Sequence, residues 1–142
     1  MYEFNGVKVA LLTEDSNILT YLRDDRPDLF MANKWDLPGG GREADENPMQ
    51  TIQREVEEEF NISLLPEQII HQRDYPSERF PGTMSVFMVA TLSSMQIEDI
   101  KFGTEGQCYQ IIPIDEWLIL RNAVLDLQNR LRNYLEEQIE AA

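Results

Sequence analysis

Residues 37–62, LPGGGREADENPMQTIQREVEEEFNI, constrain this chain more than any other stretch. Pro38 and the glycines Gly39, Gly40 and Gly41 read as a turn whose backbone can approach other groups closely. After a polar segment a helix begins. Asn47 suits its N-cap, Pro48 the first helical position, and Gln50 the returning half of a capping box. Met49, Ile52, Val56 and Phe60 recur at helical spacing, which predicts one buried face. The same helix carries Glu55, Glu57, Glu58 and Glu59, and this is where the local rules fail. Glu55, Glu58 and Glu59 stand at i, i+3 and i+4, so their charges crowd one patch and repel. They also occupy the last turns, where the helix dipole disfavours anions.

Violations that all point the same way mark a functional site when a bound cation turns repulsion into attraction. Three carboxylates on one helical face form a hard-oxygen site suited to Mg²⁺, with Mn²⁺ as a substitute. Such an ion keeps several waters and takes further ligands from substrate phosphate. The bland alternative is a solvated acidic face, with Glu57 belonging to it in either case.

The spacing decides between them. Gly40, Glu46, Arg54, Glu55, Val56, Glu58, Glu59 and Ile62 fit the pattern G-x5-E-x7-R-E-U-x-E-E-x-G-U, where U is bulky and apolar. Six of these positions are fixed, and a chance match is on the order of one in ten million per start site. Asn61 stands where the second glycine is expected. Asn is the next-best residue for the left-handed conformation that ends a helix. This pattern resembles the Nudix box, and the chain is similar to the MutT-like branch of the Nudix hydrolases.

Composition sets the frame. A chain of 142 residues with 42% hydrophobic and 27% charged residues reads as one domain, 1–142, with its own core. The one cysteine, Cys108, excludes an internal disulfide and fits a reducing, cytoplasmic location. No stretch is apolar enough for a transmembrane helix, and the first residues carry no secretory signature. The net charge of −14 opposes a nucleic-acid polymer or an anionic membrane as partner. A small nucleoside di- or triphosphate derivative remains possible once metal ions and arginines neutralise it. Oligomeric state is not legible.

Along the chain, Val7–Leu12 and Ile18–Arg23 read as a hairpin around the Asp15–Asn17 turn, 24–34 as a loop and Trp35–Leu37 as a short strand. The 47–60 helix follows. Gln68–Tyr75, Thr83–Leu92 and Cys108–Ile112 read as strands, with 93–106 as a loop. Asp115 suits the cap of a short helix, and Asn122 to about Ile139 an amphipathic one. The order β-β-β-α-β-β-β-α predicts an α/β (α+β) domain with a mixed central sheet between helices, as the α/β/α sandwich of the resembled family also implies.

Pyrophosphate hydrolysis needs charge neutralised at phosphate oxygens and a water activated. Glu55, Glu58 and Glu59 are the expected metal residues, with Glu55 the first choice of general base. Arg54 is expected to hold the carboxylates in place. Gly39 and Gly40 allow close backbone approach. The resemblance further implies Glu105 as a loop-borne metal carboxylate, Arg23 as a phosphate contact, Arg79 as a nucleotide contact and Asn122 beside a purine base. A helix cap is the alternative for Asn122. The segment Met31-Ala32-Asn33-Lys34 also resembles that branch. His71 and Cys108 read as structural. Tyr75, Phe80 and Phe87 are the aromatics free to stack a base or to pack the core.

The implied function is a Mg²⁺-dependent pyrophosphohydrolase of a nucleoside triphosphate, oxidised purines such as 8-oxo-dGTP included, releasing monophosphate and pyrophosphate. ADP-ribose, a dinucleoside polyphosphate or a nucleotide sugar are alternative substrates. A catalytically silent ligand-binding or interaction module is the alternative class, and the intact Arg54-Glu55 and Glu58-Glu59 pairs argue against it.

Overall fold

The computed structural model of the chain describes residues 3–142. In chain order its elements are β1 (Phe4–Leu12), β2 (Asn17–Leu22), β3 (Trp35–Asp36), β4 (Gly39–Gly41) and α1 (Pro48–Phe60). A single 3₁₀ turn, β5 (Ile69–Pro76), β6 (Met84–Thr91), α2 (Ser94–Glu98), β7 (Cys108–Pro113), α3 (Ile114–Leu118) and α4 (Leu125–Ala141) complete it. The strands form a seven-stranded sheet in the order β3-β2-β1-β6-β5, with β4 added on β1 and β7 on β2. β1 and β6 run parallel while the other pairs are antiparallel, so the sheet is mixed as expected.

Alternation along the central strands gives the sheet two apolar faces. Val7, Val9, Leu11, Val86 and Met88 pack with Ile52, Val56 and Phe60 of α1. Ala10, Phe87 and Val89 face the other way, toward Trp117, Leu127, Leu131 and Tyr134 of α3 and α4. The result is a helix–sheet–helix sandwich. At about 25 cal/mol per Å² of apolar surface, each fully buried Ile, Leu or Phe in these clusters contributes roughly 1.5–3 kcal/mol.

The ends of α1 follow the sequence closely. Asn47 accepts from Gln50 N while Gln50 returns a bond to Asn47 N, closing the capping box. Asn61 takes the left-handed conformation, φ 58° and ψ 35°, and its N–H bonds back to Glu57 O.

Four expectations are corrected. The glycine turn is a strand, because Gly39, Gly40 and Gly41 pair with Lys8, Val7 and Gly6 of β1. The 93–106 loop contains α2, capped by Ser93 with Gln96. α3 starts at Ile114 behind Pro113, placing Asp115 in its first turn instead of at its cap. α4 starts at Leu125 and not at Asn122, since Trp35 N–H bonds Asn122 O at 2.7 Å and Val124 N–H bonds Trp35 O at 3.0 Å. These bonds pair Ala123 with Trp35 at the sheet edge and leave extended Val124 as the N-cap, so Asn122, in the preceding turn, is not a helix cap.

Candidate active site

Arg54, on α1, organises the acidic turns around it. Its Nε donates to Glu46 Oε2 at 2.8 Å and its Nη2 to Glu46 Oε1 at 3.0 Å, a two-pronged pairing. Nη1 reaches Glu55 Oε1 at 2.9 Å and Glu58 Oε2 at 3.4 Å, and Nη2 also reaches Gly41 O at 2.8 Å. The guanidinium thus ties the polar loop, β4 and α1 together. Its hydrogen bond is the main reason that the Glu46 carboxyl is held down to about 2. Sequence reasoning placed Glu46 in the pattern without seeing this role.

The three expected metal carboxylates sit in different surroundings. Glu58 is 60% exposed, Glu55 15%, and Glu59 is 9% exposed at the inner end of the helix. Glu59 Oε1 accepts from Gly39 N at 2.9 Å. Burial pushes the Glu59 carboxyl up to about 8, against the opposing pull of Lys8 and the Gly39 N–H. Burial also raises Glu55, countered by Arg54. A Cβ on Gly40 would lie 2.6 Å from the Glu55 carboxyl carbon, so only glycine leaves that side chain its place. Glu57 is exposed.

A row of charges runs beside them, in which the expected Arg23 is joined by Lys8 and Asp36, neither of them expected from the sequence. Asp36 is buried and takes Lys8 Nζ and Arg23 Nη1 on the same oxygen, Oδ2, each at 3.0 Å. Arg23 Nε also donates to Phe30 O at 3.0 Å. Burial alone would lower the Lys8 ammonium, but Asp36, Tyr21 and Glu59 outweigh it and hold it above the usual lysine range. The available signal was a lysine inside the apolar run Val7–Leu12 and an aspartate between Trp35 and Leu37.

A cavity of about 360 Å³ joins these groups. It is lined by Glu55, Glu59, Glu105, Gly39, Gly40, Lys8 and Arg23, and also by Phe30, Arg79, Phe80, Asp126 and Arg130. The Arg79 guanidinium lies 4.6 Å from the Phe30 ring centre and 5.0 Å from that of Phe80. Arg54, Glu58 and Asn122 are not part of the lining. Asn122 Nδ2 donates to Asn33 O, which occupies it away from the cavity. Phe87 is core, Tyr75 packs against it, and Phe80 alone of the three named aromatics lines the cavity. His71 stacks on Tyr134.

The loop carrying Glu105 is fastened to the end of α1. Lys101 N–H bonds Phe60 O at 3.0 Å, Gly103 N–H bonds Glu59 O at 2.9 Å, and Gln107 N–H bonds Leu22 O at 2.8 Å. The first two satisfy carbonyls that the end of α1 leaves open, and the third ties the loop to the end of β2. They also explain how a residue far along the chain comes to share a cavity with Glu55 and Glu59.

Glu55, Glu59 and Glu105 offer carboxylate oxygen alone, the donor set of a hard divalent cation. Their chemistry fits Mg²⁺ or Mn²⁺. Among the described residues no three His, Cys, Asp or Glu side chains converge on one point. Each side chain on α1 takes a donor of the protein instead: Glu55 and Glu58 the Arg54 fork, Glu59 the Gly39 N–H.

The fold is an α/β mixed-sheet sandwich with an acidic helix and a glycine strand at one cavity. The NUDIX domain family model matches residues 4–135, and the chain belongs to that family. An RNA pyrophosphohydrolase of Zymomonas mobilis subsp. mobilis is 32% identical over 81 residues, 56% of this chain. The chain's match spans 50% of that curated relative, about half its length. The MutT protein of Methanosarcina mazei Go1 superposes with a TM-score of 0.76 at 21% identity, over 96% of each chain, a likeness of fold. A bifunctional NMN adenylyltransferase/ADP ribose pyrophosphatase of Francisella tularensis, complexed with AMP and a Mn ion, gives a TM-score of 0.70 at 27% identity. That match covers 96% of this chain and 42% of the other. No helix among the described residues is long and apolar enough to cross a membrane.

Proposed function

We propose that this chain is a divalent-metal-dependent pyrophosphohydrolase that splits a nucleoside triphosphate into monophosphate and pyrophosphate. The observation that carries this reading is one cavity whose lining holds the carboxylates Glu55, Glu59 and Glu105 together with Arg23, Arg79 and two phenyl rings. A polyphosphate chain needs the carboxylates and Arg23, and a nucleoside the phenyl rings with Arg79.

A bound Mg²⁺ would neutralise phosphate oxygens and lower the pKa of a bound water. Glu55, Glu59 and Glu105 would hold it, with Glu58 joining from the exposed turn of α1. The remaining work belongs to the protein. Arg54 fixes the direction of Glu55 and Glu58 through its fork. Arg23 is braced by Asp36 and Phe30 O, so its guanidinium meets a phosphate with little rotamer freedom left to lose. Phe30 and Phe80 offer flat apolar faces to a base, and Arg79 already stacks there. Asn122 lies outside the lining, and Asp126 and Arg130 complete that part of the chain's contribution to it.

The test is pyrophosphate release from a panel of nucleotides with and without Mg²⁺, run in H₂¹⁸O. In-line attack at the β-phosphorus puts the label in pyrophosphate and none in the monophosphate. Absence of metal-dependent turnover on every nucleotide sinks the reading, and label in the monophosphate overturns the position of attack.

A further inference from the structure

Lys8 stands in β1 between Val7 and Val9, both almost fully buried, and its own side chain is 21% exposed on the cavity floor. A lysine in that position invites the reading of a phosphate-binding cation, but its bonds argue otherwise. Nζ donates to Asp36 Oδ2 at 3.0 Å, Leu37 O at 3.2 Å and Gly39 O at 3.2 Å. An ammonium has three donors, and all three are taken by the segment Asp36–Gly39. What Lys8 holds is therefore the passage from β3 into β4 and not a ligand.

Gly39 is fixed from both sides. Its carbonyl is bound by Lys8 and its N–H by Glu59 Oε1 at 2.9 Å. It has φ +132°, and a Cβ there would lie 2.0 Å from Val7 O, so this backbone has no slack toward β1. Asp36, the first acceptor of Lys8, also grips Arg23. Arg23, Asp36, Lys8, Gly39 and Glu59 form one unbroken line of hydrogen bonds from the phosphate-side arginine to the innermost carboxylate.

Building on the metal-dependent hydrolase reading, we propose that Lys8 is a positioning residue for Glu59. By clamping the peptides on either side of Pro38–Gly39, whose own carbonyl is held by Val9 N–H at 2.9 Å, it helps aim the Gly39 N–H, and that N–H sets the direction in which Glu59 presents its carboxylate to a divalent cation. It also fixes the spacing between that carboxylate and Arg23.

Mn²⁺ binding, followed by electron paramagnetic resonance of the free ion, tests this in wild type, Lys8→Met, Glu59→Gln and the double variant. Partners behind a ligand typically change metal affinity ten- to a hundredfold. Lys8→Met is expected to weaken Mn²⁺ about tenfold, and to cost nothing further in the Glu59→Gln background, because coupled residues are not additive. Equal losses in both backgrounds overturn the proposal and leave the hydrolase reading standing. Failure of wild type to bind Mn²⁺ removes both. Lys8→Arg supplies a second arm that keeps the charge and does not depend on Lys8→Met folding. Its planar fork cannot serve three acceptors gathered on one nitrogen. Weakened Mn²⁺ binding in Lys8→Arg supports positioning, and wild-type binding overturns it.

Discussion

Glu59 shows what burial does to one carboxylate. An ordinary glutamate releases its proton near 4.5, while in the fold burial pushes Glu59 up to about 8. Between those values the folded state binds more protons than the unfolded one, so stability falls as pH rises from about 4.5 to 8 and this contribution is gone above it. Glu46, held down to about 2, acts only below that window. Metal-stripped protein is therefore expected to melt higher at pH 5.5 than at pH 8, with Glu59→Gln flattening the difference. Melts in buffers containing a chelator measure it, and an unchanged slope in Glu59→Gln overturns the assignment. Residues such as Asn47, Gln50 and Asn61 were legible because capping is a local rule with a local signature. Lys8 and Asp36 were not. Their pairing joins residues far apart in sequence, and one charge inside an apolar strand names no partner.

At the scale of elements, β4 and α1 meet through two adjacent glycines with different reasons for being glycine. A side chain at Gly39 strikes the backbone of Val7, whereas one at Gly40 strikes only the flexible end of Glu55. Gly39→Ala is expected to cost roughly 3 kcal/mol or more of fold stability, from a left-handed backbone and a rigid clash. Gly40→Ala should keep the fold and displace Glu55, lowering kcat about ten- to a hundredfold. Denaturant melts and steady-state rates on both variants check this, and a folded, active Gly39→Ala protein would count against it. The glycines announced a turn because a run without side chains carries no strand periodicity, and only the ladder with β1 reveals the strand. α2 was hidden for a related reason. It is five residues long, too short to show an apolar stripe, and its Met95 is exposed. The start of α4 was displaced by bonds between Trp35 and residues 122–124, which no local pattern encodes.

At the scale of the molecule, an acidic chain of net charge −14 gathers several carboxylates at one cavity. A divalent ion that binds the folded state alone should stabilise it by about 2.7 kcal/mol at a hundredfold excess over Kd. Thermal melts with and without millimolar Mg²⁺ measure this as a rise of several degrees, reduced in Glu59→Gln. No shift in wild type contradicts the site. The layer order was legible from the alternation of apolar runs, and the cavity was not, because its walls come from separate segments spread from Asn5 to Arg130. Those segments differ in how firmly the chain length between them is fixed. The 101–107 loop is pegged at Lys101, Gly103 and Gln107, so an inserted residue would carry Glu105 away from the cavity. The tip between β5 and β6, which brings Arg79 and Phe80, is closed by bonds among Ser77, Phe80 and Thr83, and is pegged outside itself at its base, where Asn5 Nδ2 donates to Thr83 Oγ1 at 2.8 Å. Lineages descending from such a chain can therefore lengthen or shorten that tip beyond its base, drifting between cargoes while the 101–107 segment keeps its residue count.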